Sequence, residues 1–137
     1  DPEAAFAAIR DERAGAIDHA AGAKRAATRP EPDGSLYARA QVQEALIAAS
    51  KETHRQGADG SSWDTVLRIG PWGFGLGDVS TRCVWWHGDA DSVVPLTLIE
   101  QAIAGLPRHS LHAVGGAGHG VCMTHVGPFL QDLAGLS

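Results

Sequence analysis

Apolar positions in the first half of the chain recur at helical spacing, and in the second half the period shortens to that of strands. Phe6, Ile9, Ala16, Ile17 and Ala20 share one face of a helix predicted to run to about Lys24. It opens on Asp1-Pro2-Glu3, with a capping acid, a proline at the first helical position and an acid facing the positive end of the helix dipole. Arg29-Pro30-Glu31-Pro32-Asp33-Gly34 is poorly suited to continue a helix and predicts a connector. A second helix is predicted over 38–55, with Val42, Ala45, Leu46 and Ala49 on its apolar side. Gly57 and Gly60 break it, and a third helix over 62–69 stops before Gly70-Pro71. These segments are rich in alanine and poor in large side chains, so they need another body to pack on.

The second half reads differently. Arg82-Cys83-Val84-Trp85-Trp86-His87 is a β-favouring run that stops at Gly88, as a buried strand would. Trp85 and Trp86 point to opposite faces of it and are expected to fill core on both sides. A helix over 95–106 follows, with Leu98, Ile99, Ala102 and Ile103 inward, then a strand ending in Leu111-His112-Ala113-Val114. A last helix is predicted over 124–133. Strand, helix, strand and helix with short connections predict an α/β fold in which 82–87 and 110–114 are adjacent parallel strands joined by a right-handed crossover. Two parallel strands are too few for a stable sheet, so further strands are expected from residues outside these 137.

Composition narrows the partners. Sixteen acidic against eleven basic residues give a net charge of −5, which argues against a nucleic acid. No apolar run approaches the roughly 18 residues of a membrane span, and no charged-then-apolar leader is present. The expected partner is a small molecule, with the cytoplasm as the default address. Cys83 and Cys122 lack C-x-x-C spacing and fall at opposite ends of the predicted sheet, roughly 17 Å apart, so both are expected as free thiols. The chain begins at Asp1 and its only methionine is Met123, so it is expected to be a fragment or processed part of something longer.

The ionisable residues concentrate in two loops, each leaving the carboxyl end of a predicted strand, where open parallel sheets bind ligands. The first is His87-Gly88-Asp89-Ala90-Asp91-Ser92-Val93-Val94-Pro95, the second Gly115-Gly116-Ala117-Gly118-His119-Gly120. Adjacent strands would bring an acid beside an imidazole, the pair that activates a nucleophile in hydrolysis. Gly88-Asp89-Ala90-Asp91-Ser92-Val93-Val94-Pro95 resembles the G-x-x-D-x-x-V-P acid loop of the α/β-hydrolase fold family, and Gly116-Ala117-Gly118-His119 resembles its G-x-G-H loop. The 28-residue step from Asp91 to His119 fits the same family.

The stretch from Gly57-Ala58-Asp59-Gly60 through Pro71-Trp72-Gly73-Phe74 resembles the end of a helical cap and the return to the core. The resemblance implies a cap or lid over 1–70 and the C-terminal part of the hydrolase core over 71–137. It implies Asp91 as triad acid, His119 as base, ester hydrolysis, and no metal or organic cofactor. Trp63, Trp72 and Phe74 are candidates either for lining a substrate cleft or for packing cap on core.

The family's G-x-S-x-G elbow does not occur. The nucleophile is therefore expected from an N-terminal remainder of the hydrolase, with this chain inactive alone. Asp89 is the rival for the acid and otherwise a turn residue, while His87 and His112 read as packed or edge residues. A zinc cluster of His119, Cys122 and His125 matches no common ligand spacing. The alternative function is a non-catalytic fragment or pseudoenzyme that binds a small molecule or a partner through its cap.

Overall fold

Two aspartates begin the first two helices in the computed structural model, which describes residues 1–13 and 17–135. Asp1 Oδ1 accepts the Glu3 N–H at 3.0 Å, and helix α1 spans Pro2–Arg13. Asp18 Oδ1 accepts the N–H groups of Ala20 and Ala21 at 2.9 and 3.2 Å and opens α2, His19–Ala27. This is the N-cap arrangement, in which a side-chain oxygen satisfies donors that have no helical carbonyl to reach. The single helix expected to about Lys24 is thus two, because a capping aspartate starts a new helix where apolar spacing alone suggested continuation. Ala16, expected on the apolar face, lies outside the described residues. Asp18→Ala is expected to cost about 1 kcal/mol, read as a lower urea midpoint together with reduced helical ellipticity. An unchanged midpoint would show that the cap does not hold α2.

The chain forms two compact units that interleave along the sequence: Asp1–Arg25 with Arg39–Phe74, and Ala26–Ala38 with Gly75–Ser137. In the first unit, α4 spans Ala40–Thr53 and α5 spans Asp59–Ile69. Gly60, expected to break a helix, sits in the first turn of α5 instead; the turn is made at Gly57, whose φ of 96° suits glycine. Helix α1 lies against α5 through Phe6, stacked on Trp63 with ring centroids 4.4 Å apart. Arg13 donates to the Ser61 carbonyl at 2.6 Å and to Thr65 Oγ1 at 3.2 Å. Gln43 of α4 donates to the Ala23 carbonyl at 2.8 Å. Polar ties of this kind add to the apolar packing of Phe6, Trp63 and buried Val66.

The second unit holds the sheet. Strand β1, Cys83–Gly88, pairs in parallel with β2, His109–Val114, in register from Cys83 opposite His109 to Gly88 opposite Val114. Helix α6, Leu96–Ile103, connects them, and α7, Val121–Thr124, and α8, Val126–Ala134, follow. The architecture is mixed α/β, mostly helical, with a two-stranded parallel sheet flanked by helices. The adjacent parallel strands agree with the sequence pattern.

Three details of that pattern change. Trp85 does not fill core: it is 36% exposed, since two strands cover less of a sheet face than a wide sheet does. Leu98 and Ala102 face outward, and the buried stripe is Ile103 and Leu106 with half-buried Leu96 and Ile99. The last helical segment breaks at His125, whose φ of −124° leaves the helical region between α7 and α8.

Asp132 of α8 ties that helix to the sheet. Its Oδ2 accepts the Trp86 Nε1–H at 3.0 Å and lies 3.4 Å from His112 Nε2, while the Trp86 and His112 rings stack across the strands. The expected connector over 29–34 is only partly one. Asp33 opens a short helix, α3, Asp33–Tyr37, and is buried with Leu36 and Tyr37, whose apolar side chains anchor it. Among the described residues, no helix is long and apolar enough to cross a membrane.

Candidate functional site

The carboxyl ends of β1 and β2 release the two loops side by side, and three hydrogen bonds stitch them together. Asp89 N–H donates to the Val114 carbonyl at 3.1 Å, and Ala90 N–H donates to the Ala117 carbonyl at 3.0 Å. Asp89 Oδ1 accepts the Gly116 N–H at 2.7 Å, so this carboxylate clamps the turn and is not the one that meets an imidazole. Gly116 has a φ of 69°, a conformation that only glycine adopts without strain.

Asp91 is the acid that reaches a histidine. Its Oδ2 lies 2.9 Å from His119 Nδ1, while its Oδ1 accepts the N–H groups of Val93 and Val94 at 2.7 and 3.0 Å. Its side chain is 1% exposed against 38% for the His119 ring. A carboxylate only accepts, so the proton is assigned to Nδ1 of His119 and the Nε2 lone pair is left free. Among the described residues, Nε2 has no hydrogen-bond partner. A partly exposed imidazole held in this tautomer can take a proton from a hydroxyl, with the carboxylate stabilising the resulting imidazolium.

Burial pushes the Asp91 carboxyl up. The Val94 N–H, the His119 ring and the Val93 N–H together outweigh that and hold it below the usual carboxylate value. A depressed folded-state value means that the stability contributed by Asp91 is complete above the unfolded value of about 3.9 and is lost as pH falls through the folded value. The gap in urea midpoint between the parent protein and Asp91→Asn is therefore expected to be widest above about pH 4 and to close in stronger acid. A gap independent of pH would contradict the charged role of Asp91.

His87 sits closer to this pair than an edge residue would. Its Nε2 donates to the Val94 carbonyl at 2.8 Å and lies 3.4 Å from Asp91 Oδ2, with only 13% of its side chain exposed. A second residue escaped the sequence pattern. Asp33, read there as part of a connector, accepts the backbone N–H groups of His119 and Gly120 at 2.8 and 2.9 Å. Its only signal was an acid three residues before an apolar Leu36-Tyr37 pair, at a position suited to opening a helix.

The remaining candidates lie elsewhere. Trp63, Trp72 and Phe74 belong to the first unit. Trp63 stacks on Phe6, and Trp72 and Phe74 tilt toward each other at 5.9 Å while Trp72 Nε1 donates to the Leu67 carbonyl. Trp72 and Phe74 are more than half exposed. Ser61 and Ser62 both donate to the Ala58 carbonyl, at 3.0 and 2.8 Å, and Ser62 is fully buried. Cys83 and Cys122 are free thiols, the latter exposed. Among the described residues, no three His, Cys, Asp or Glu side chains converge on a metal position, His119, Cys122 and His125 included. The first unit also has an open groove of about 480 Å³ lined by Arg10, Arg13, His19, His54 and Asp59. The chain matches no protein-family model, no curated protein and no solved structure.

Proposed function

We propose that the chain carries the acid and base of a serine-type hydrolase of the α/β-hydrolase fold family, acting on a small-molecule ester. The observation that supports it best is the 2.9 Å contact between Asp91 Oδ2 and His119 Nδ1 at the carboxyl ends of two parallel strands. The acid loop and the G-x-G-H loop that supply this pair carry the family's sequence pattern. Residues 1–70 are read as the cap and 71–137 as the C-terminal part of the core, with 26–38 packed in the core unit. Trp63, Trp72 and Phe74 are the side chains proposed to meet substrate.

The nucleophile comes from residues outside these 137, in an N-terminal part bearing a G-x-S-x-G elbow. His119 Nε2 takes the serine proton as the hydroxyl attacks the ester carbonyl, then returns it to the departing alcohol. Water, activated by the same nitrogen, releases the acyl group. Asp91 keeps its negative charge throughout and holds the ring.

The test is p-nitrophenyl ester hydrolysis by a longer polypeptide that contains both this chain and such an elbow, beside the chain alone. The chain alone is expected to match a buffer control carrying imidazole equal to its seven histidines. A longer polypeptide whose hydrolysis does not depend on His119 would overturn the proposal. It would favour the second reading, a non-catalytic binder, for which the groove of the first unit is the supporting observation.

A further inference from the structure

The loop that carries His119 cannot hold its own shape. Four of its six residues, Gly115, Gly116, Gly118 and Gly120, are glycine, the residue that loses most freedom on ordering. The acid loop holds its first part, at Gly116 and Ala117, and α3 holds the part that carries the imidazole, at His119 and Gly120. Asp33 is 1% exposed, and both oxygens of its carboxylate are engaged on adjacent amides: Oδ2 on His119 N–H at 2.8 Å, Oδ1 on Gly120 N–H at 2.9 Å. Charge-assisted bonds to two N–H groups offset the cost of burying the carboxylate. The fit is also steric. A Cβ on Gly118 would stand 2.5 Å from Asp33 Oδ1, and one on Gly120 would collide with Leu36. Asp33 and Leu36 thus occupy the space that side chains on the loop would need.

We propose that Asp33 is the positioning residue of the His119 base, gripping the backbone of its loop while Asp91 grips its ring. The functional meaning rests on the reading of His119 as a general base. The geometric claim does not. With the backbone of residues 119 and 120 fixed by one carboxylate, Nδ1 arrives within hydrogen-bond distance of the other. Released from Asp33, the glycine-rich segment lets the ring leave Asp91.

Asp33→Asn tests this. The amide keeps the size and one accepting oxygen, but presents an NH₂ group to one of the two N–H donors, donor against donor. Imidazole ¹⁵N shifts of the isotopically labelled chain are expected to show His119 protonated on Nδ1 in the parent. In Asp33→Asn, with far-UV ellipticity retained, that form is expected to give way to the Nε2–H form that free histidine favours. The parent is also expected to show scalar coupling across the hydrogen bonds, from the His119 and Gly120 nitrogens to the Asp33 carboxyl carbon.

A folded Asp33→Asn protein with His119 still protonated on Nδ1 overturns the proposal, as does absence of both couplings. Should Asp33→Asn fail to fold, Gly118→Ala displaces the same carboxylate from the loop side. Loss of the couplings there without loss of the Nδ1–H form also overturns it. These readouts do not depend on turnover. A longer polypeptide that hydrolyses no ester would refute the proposed function and leave them intact. In an active one, Asp33→Asn is expected to lower kcat about 10²-fold with KM unchanged.

Discussion

Replacing His119 by alanine in a complete hydrolase built on these residues is expected to lower kcat for ester hydrolysis about 10⁵-fold. Without the imidazole, nothing at the carboxyl ends of β1 and β2 takes the serine proton, and the remaining rate comes from binding and oxyanion stabilisation alone. Asp91→Asn is expected to cost about 10⁴-fold. Its carboxamide presents an NH₂ group where Oδ2 now accepts, which turns the His119 ring to the tautomer that faces a serine with a proton instead of a lone pair. The Val93 and Val94 N–H groups keep the asparagine oxygen, so the loop itself should persist. Steady-state kinetics on a p-nitrophenyl ester decide the matter. Ten-fold or smaller effects for both variants would remove Asp91 and His119 from the mechanism.

Gly88→Ala is the second large effect expected. Gly88 ends β1 and is buried where the His119 loop crosses over it, and a Cβ there would run into the carbonyls of Ala117 and Gly118. These are backbone atoms and cannot rotate aside. Either the strand or the loop must shift, at about 3 kcal/mol. The shift acts on the segment that Ala90 and Asp89 hold against Ala117 and Gly116. The urea midpoint is therefore expected to fall together with loss of the Asp91–His119 contact, read from the His119 ring nitrogens. Gly22→Ala in α2 is the control: nothing lies within 4 Å of the added carbon. It should raise stability by roughly 0.5–1 kcal/mol through helix propensity. Equal effects at the two positions would contradict the close approach at Gly88.

What could be read from the sequence was what neighbours along the chain decide. The strand endings at Gly88 and Gly115-Gly116, the helix between them, and the acid and histidine loops are each set within a few residues. The crossover that connects parallel strands then brings Asp91 to His119. The break at Asp18 was also local, but an aspartate inside a helical apolar pattern gives the same spacing whether it caps or lies on the surface. Asp33 was illegible for a different reason. Its partners are backbone N–H groups, which every residue but proline owns, so no residue type in the loop announced that an acid was required. Trp85 and Leu98 show the reverse limit, because apolar character says that a side chain favours burial, not that another element covers it.

The reach of the Asp33 grip bears on the order in which the site assembles. Asp91 and His119 are 28 residues apart, and Asp33 and Gly120 are 87 apart. Closing the longer span from an open chain costs about 1 kcal/mol more in entropy, since the penalty grows with the logarithm of length. Contacts close in sequence form first, so strand β1, helix α6 and strand β2 come together and bring the acid loop to the histidine loop. Helix α3 is then expected to arrive last and to fix the backbone of a loop that the strands have brought near its acid. The ring of His119 would then find its carboxylate before its backbone is locked, and the final step of folding would be the one that turns an occasional contact into a permanent one.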